Sequence, residues 1–109
     1  MSKTKLQIAL RENTWSFGPH GWGNGYVILP KEHPCHGMDY DDIPVNVHGC
    51  LTYGEPLNRN NFPTIEANED VFIVGFDTAH DCDNQANWTK EDVLLETENL
   101  RNQLEKIWK

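Results

Sequence analysis

Three polar residues of this chain occupy positions where side chains of different strands can meet. His48 lies in a predicted strand, and Asp77 and His80 follow directly after another apolar run. If these two strands are neighbours in the sheet, their polar side chains come together at one end of it. Imidazole and carboxylate groups placed together form an acid–base pair near neutral pH, or bind a divalent metal ion with open coordination positions. We therefore take His48, Asp77 and His80 as candidate catalytic residues.

His33 lies in a long loop that we expect to fold over the same end of the sheet, which makes it a candidate ligand-binding residue. A structural role is the alternative for each of these residues. A histidine at a strand end often hydrogen-bonds a backbone carbonyl, and Asp77 would then cap the turn that follows it.

The sequence lacks the short motifs that identify a cofactor. It contains neither Cys-x2-Cys nor His-Glu-x-x-His, so we assign no metal ligand, and a structural zinc built from its Cys–His pairs is a weaker alternative. Its three cysteines (Cys35, Cys50 and Cys82) are an odd number, which does not favour a disulfide framework. It has no Gly-x-Ser-x-Gly elbow, and the glycines between Gly21 and Gly25 lack dinucleotide-binding spacing. The cofactor, if any, stays unknown.

The length and net charge of the chain indicate how many domains it forms and which partners it does not bind. A chain of 109 residues is expected to form one domain, spanning 1–109. A net charge of −8 repels nucleic acid and anionic lipid, so we expect neither as a partner. The N-terminal segment is too short and interrupted for a signal peptide or a membrane span, which predicts a cytoplasmic protein.

Four stretches before residue 88 have the pattern of β-strands. Alternating or continuous apolar residues predict strands over 6–10, 26–29, 45–52 and 71–76. His48 lies on the face opposite Val45 and Val47, and the run 71–76 is expected to be central. Asn24-Gly25 is typical of a hairpin turn, and Trp15 with Phe17 is expected to extend the sheet. Polar, proline-containing loops are predicted over 31–44 and 54–70.

A helix is predicted from Thr89 onward. Thr89 can cap it with Asp92, and an apolar stripe follows at helical spacing: Val93, Thr97, Leu100, Leu104 and Ile107. This stripe needs a surface to cover. The predicted fold is therefore α+β, a mainly antiparallel sheet of four to five strands with one long C-terminal helix packed on a face.

Three stretches resemble a family of small uncharacterised proteins of phages and mobile elements. The similar stretches are 30–43, 47–53 and 75–80, where the family pattern reads His-Gly-Gly-Leu-Thr and Gly-Phe-Asp-Cys-Ala-His. Cys50 replaces the second glycine and Thr78 replaces the cysteine, which argues against a thiol role. The matched positions include His33, His48, Asp77 and His80. Tyr40, Asp42 and Thr52 lie in the same stretches and complete the candidate ligand-binding set.

The leading prediction is a small phage-type accessory protein in the host cytoplasm, a monomer or homodimer, that binds a small polar ligand or a host protein. One alternative is a small hydrolase, either metal-dependent or using His and Asp as acid and base. A second alternative is an acidic inhibitor that mimics nucleic acid through its carboxylate loops.

Overall fold

The computed structural model describes residues 6–13, 20–57, 62, 70–79 and 87–108. These residues form four strands, one short 3-10 helix at Tyr40–Asp42, and one long helix. The main elements are β1 (Gln7–Glu12), β2 (Gly23–Leu29), β3 (Tyr53–Pro56), β4 (Phe72–Phe76) and α1 (Lys90–Ile107). The predicted α+β class is confirmed, with four strands in the described part of the chain.

The four strands form one antiparallel sheet in the order β1-β2-β4-β3. β4 lies between two neighbours, which confirms the prediction that the apolar run 71–76 is central. Side chains alternate between the two faces. Val27, Val74 and Phe76 face the helix as part of the larger core, while Tyr26 and Ile73 pack with Phe62 on the other face.

Helix α1 begins where the sequence predicts. The Thr89 side chain accepts the Asp92 N–H, and the Asp92 carboxylate accepts the Thr89 N–H, which completes a capping box. The predicted stripe is confirmed, since its buried members are Val93, Thr97, Leu100 and Leu104. The helix packs over β1 and β2. Within the described residues, no helix combines the length and the apolar composition that a membrane crossing requires.

The segment between β2 and β3 covers the rest of the helix-side face. It is irregular over 31–44, as predicted, but it is not a loose surface loop. Its buried side chains join the same core as α1: Cys35, Ile43, Val47 and Leu51. This segment therefore acts as a second packing layer beside the helix.

The predicted hairpin turn at Asn24-Gly25 is wrong, because both residues lie inside β2 and pair with β1. Gly25 allows α1 to approach the sheet closely and does not form a turn. A Cβ atom at this position would overlap the Thr97 side chain and lie 2.7 Å from the Phe76 ring. The missing side chain thus lets α1 approach the sheet. Trp15 and Phe17 lie outside the described residues.

The predicted strand over 45–52 is also wrong. The chain makes a turn there, in which the Cys50 N–H donates to the Val47 carbonyl at 3.0 Å. Gly49 and Cys50 have φ values of 66° and 65°, which are incompatible with extended backbone. The apolar alternation arises because Val47 and Leu51 anchor a loop to the core. The strand lies instead at Tyr53–Pro56, within the predicted loop over 54–70.

Candidate functional site

His48 is held against an aromatic surface by the turn over 47–50. Its imidazole stacks on the Trp88 indole, with ring centroids 4.2 Å apart and planes inclined by 37°. Its backbone N–H donates to the Glu96 carboxylate at 2.7 Å. A helix side chain and an aromatic ring therefore fix His48, which is half-buried, from two directions.

Trp88 connects His48 to the C-terminal end of β4. Its ring lies 6.4 Å from the Phe76 ring, measured between centroids. Its backbone carbonyl accepts the Trp22 N–H at 2.7 Å, which ties the start of β2 to the residue before the helix cap. The indole is thus a fixed support for the imidazole.

Asp77 follows Phe76 at this same end of β4. Its Oδ1 accepts the Ala79 N–H at 3.4 Å, a contact typical of a carboxylate at a turn. The next residue, Thr78, is fully buried, and its hydroxyl donates to the Gly23 carbonyl at 2.6 Å. These bonds fix the backbone beside Asp77. His80 lies outside the described residues, so its meeting with His48 stays a prediction.

Thr52 also belongs to this end of the sheet. Its backbone N–H donates to the Gly75 carbonyl at 2.9 Å, and its side chain is exposed. The structure thus brings His48, Thr52 and Asp77 to the C-terminal end of β4, although His48 reaches it from a turn and not from a strand.

His33 lies elsewhere. It is 3% exposed, its Nε2–H donates to the Leu104 carbonyl at 2.9 Å, and its Nδ1 accepts the Cys35 N–H at 3.0 Å. Leu104 is eight residues beyond Glu96, the helix partner of His48, which separates the two contacts by roughly 12 Å along α1. The expectation that His33 folds over the strand end beside His48 is therefore wrong. Its role in ligand binding stays a prediction.

Tyr40 and Asp42 lie on the 3-10 turn and are both exposed. Tyr40 packs over Gly54. A Cβ atom added to Gly54 would lie 3.3 Å from the Tyr40 Cβ atom. The Asp42 N–H donates to the Asp39 carbonyl at 2.9 Å. Tyr40 therefore lies beside β3, and the part of both candidates in ligand binding stays a prediction.

An open depression of about 250 Å³ is a feature that the sequence analysis missed. It is lined by Lys31, His36, Pro56, Asp70 and Val71. The His36 ring bonds the Asp70 carbonyl and lies 5.7 Å from the Phe72 ring. Only the fold brings these distant positions together, so no local pattern in the sequence predicts the depression.

Within the residues that the structure describes, no three His, Cys, Asp or Glu side chains lie close enough to hold a metal ion. Cys35 and Cys50 are free thiols in contrasting surroundings, since Cys35 is buried and Cys50 is exposed. Burial raises the pKa of the Cys35 thiol, which lowers its thiolate fraction at neutral pH.

We expect iodoacetamide to alkylate Cys50 at least about tenfold faster than Cys35 in the folded protein, because the thiolate is the reacting species and must be accessible. Mass spectrometry of the digested protein at successive times gives both rates. In urea the two rates should converge. Equal rates in the native protein would contradict the burial of Cys35.

Comparison of the chain with protein-family models, with curated proteins and with solved structures found no match.

Proposed function

We propose that this protein is a small phage-type accessory protein that binds a polar ligand or a host protein through the surface formed by His48, Trp88 and Asp77, called here the His48 surface. The proposal rests on the backbone conformation of the turn over 47–50, which holds His48. Cys50 is the one non-glycine residue with positive φ in the described part of the chain. It lies two residues from His48, in a stretch that also carries the family resemblance.

A non-glycine residue in the left-handed region costs on the order of 1–3 kcal/mol and persists where the surrounding structure enforces it. Such residues concentrate at binding and catalytic sites. Here the turn keeps the imidazole on the Trp88 ring while Glu96 holds the His48 N–H. We infer that the left-handed conformation of Cys50 is kept because it holds His48 in a fixed position.

The His48 surface combines an aromatic support and an imidazole, and the Asp77 carboxylate follows Phe76, whose ring contacts the same indole. The imidazole both donates and accepts hydrogen bonds. An indole adds a large contact area with little loss of side-chain entropy. Together these groups suit a partner that has a planar or apolar part and a polar group beside it.

The test begins with a thermal-shift screen of the purified protein against nucleotides and divalent metals, since a ligand that binds the native state raises the melting temperature. For any compound that binds, we expect His48→Ala and His80→Ala to abolish binding while the variants stay folded by circular dichroism. His36→Ala is the matched control and should bind normally, because His36 lies in the depression at the start of β4, beside Phe72, and not at the end of β4 near His48. Unchanged binding by both His48→Ala and His80→Ala would refute the proposal, and turnover of the bound compound would favour the hydrolase alternative.

The same assay separates the His48 surface from the exposed acidic turn at Asp39, Asp41 and Asp42. We expect neutralising these three residues to Asn to change binding little. Exposed charges are screened beyond a Debye length of about 8 Å at physiological ionic strength, so binding by charge mimicry would weaken steeply with salt. Salt-sensitive binding that is lost in the Asn variant alone would favour the acidic inhibitor.

A further inference from the structure

The depression described above lies where two neighbouring strands separate. The last pair of the β2–β4 ladder joins Leu29 to Phe72. The chain then enters a turn at Pro30, which ends the ladder. The next positions that would pair in the same register are Lys31 and Asp70, and both line the depression. The end of β2 therefore leaves these two residues on opposite sides of an opening in the sheet.

β3 stays paired with β4 beyond this point and forms an apolar wall. Pro56 pairs with Phe72, and the Leu57 N–H donates to the Val71 carbonyl at 3.1 Å. Pro56 and Val71 both line the depression. The opening thus combines an apolar surface from β3 and β4 with charged residues from the two diverging chains.

His36 adds a hydrogen-bond acceptor to this depression. Its Nε2 atom bonds the Asp70 carbonyl, and since a carbonyl can only accept, Nε2 carries the proton. In the neutral ring the Nδ1 atom is then an acceptor, and no described residue donates to it. The bond to the Asp70 carbonyl, 34 residues along the chain, holds the imidazole in this orientation.

The two charged residues of the depression do not neutralise each other. Lys31 and Asp70 are both exposed. The ion pairs of the described residues lie on α1, where Arg101 contacts Glu98 and Glu105. An ammonium and a carboxylate that line one depression without pairing can both bind a ligand. Because their charges are opposite, the ligand that matches them carries one group of each sign.

We propose that the depression binds a free α-amino acid with an apolar side chain. The ligand carboxylate accepts hydrogen bonds from the Lys31 ammonium. The ligand ammonium donates to the Asp70 carboxylate and to the His36 Nδ1 atom. The ligand side chain packs against Pro56 and Val71. A volume of about 250 Å³ suits a molecule of this size, since pockets for drug-sized ligands begin at roughly 300 Å³.

Other small ligands match the depression less well. A simple anion would meet a like charge at Asp70, and the net charge of −8 repels it. A divalent cation would meet a like charge at Lys31, and no three His, Cys, Asp or Glu of the described residues lie close enough to hold one. A zwitterion has no net charge and presents a group of opposite charge to each residue. This site lies at the start of β4, so it is separate from the His48 surface.

An NMR titration of the full isotope-labelled chain tests the class of ligand. We expect L-leucine at millimolar concentrations to shift the backbone amides of Lys31, His36 and Val71 saturably, while those of His48 and Trp88 stay unchanged. Leucinamide lacks the carboxylate and N-acetylleucine lacks the ammonium. Each should bind about threefold to fivefold more weakly than L-leucine, the range that one exposed ion pair reaches. Glycine should also bind at least about threefold more weakly, because it buries no apolar side chain.

The same compounds distinguish a free amino acid from the end of a peptide. Leucinamide reproduces an N-terminal residue, and N-acetylleucine reproduces a C-terminal one. If either binds as tightly as L-leucine, the depression recognises a peptide end and the proposal is overturned. The absence of saturable shifts with L-leucine, or shifts confined to other parts of the chain, would also refute it.

Two substitutions that each remove one charge test the assigned contacts. Lys31→Met should weaken L-leucine binding about threefold to fivefold and leave leucinamide binding unchanged, because leucinamide has no carboxylate for Lys31 to bind. Asp70→Asn should weaken L-leucine binding to the same extent and leave N-acetylleucine binding unchanged, because that compound has no ammonium. If each variant weakens all the compounds equally, the assigned contacts are wrong.

Lys90→Met and Glu91→Gln are the matched controls. They make the same changes in charge at exposed positions at the start of α1, where Lys90 lies over the Trp22 ring, at the opposite end of β2 from Lys31. Both controls should bind L-leucine as the unmodified protein does. Circular dichroism establishes that all four variants fold. Losses in the controls equal to those of Lys31→Met and Asp70→Asn would show a general charge effect and overturn the proposed site.

Discussion

Leu100→Ala and Leu104→Ala should each lower the free energy of unfolding by about 2–5 kcal/mol. Both side chains are 0% exposed and belong to the core that joins α1 to the sheet. Truncation removes buried methyl groups and leaves a cavity that the neighbouring strands fill only in part. Urea denaturation followed by circular dichroism measures the loss from the shift of the midpoint.

Leu95→Ala is the matched control, since it makes the same chemical change on the same helix at a side chain that is 58% exposed. It should alter the free energy of unfolding by less than about 0.5 kcal/mol. Losses below about 1 kcal/mol for Leu100→Ala and Leu104→Ala would show that α1 does not depend on the sheet for its stability.

The helix could be predicted from the sequence because its determinants are local. A capping threonine, a carboxylate three residues later and apolar residues at helical spacing act within a few turns. The central strand was predictable for a related reason. Residues 71–76 are apolar on both faces, and only a strand covered on both faces buries all of them.

The two wrong predictions of secondary structure arose where tertiary contacts override a local pattern. Asn24-Gly25 is typical of a turn, but the absence of a side chain at Gly25 serves the approach of Thr97 on α1, more than seventy residues later. Residues 45–52 alternate like a strand because Val47 and Leu51 reach down to the core. Their neighbours Gly49 and Cys50 adopt a left-handed conformation that no apolar pattern reveals.

The candidate site was predictable only in part for the same reason. Asp77 ends β4, so its location follows from the strand itself. His48 reaches the same end through Trp88 and Glu96, contacts that join segments forty or more residues apart. The position of His33 was not predictable, because it depends on a carbonyl 71 residues away at the end of α1.

His33→Ala should lower the free energy of unfolding by about 2–4 kcal/mol, because it leaves the buried Cys35 N–H without its acceptor and opens a cavity. His36→Ala, in the same loop, is the matched control. Its ring is half-buried and bonds one carbonyl at the surface, so it should cost less than about 1 kcal/mol. Both values come from urea denaturation, and the thermal-shift screen is repeated on each variant. If His33→Ala is as stable as His36→Ala but loses ligand binding, His33 contacts the ligand and its buried bonds are not what holds the loop. If it is destabilised and still binds, its role is to anchor the loop to the end of α1, and the His48 surface acts without it.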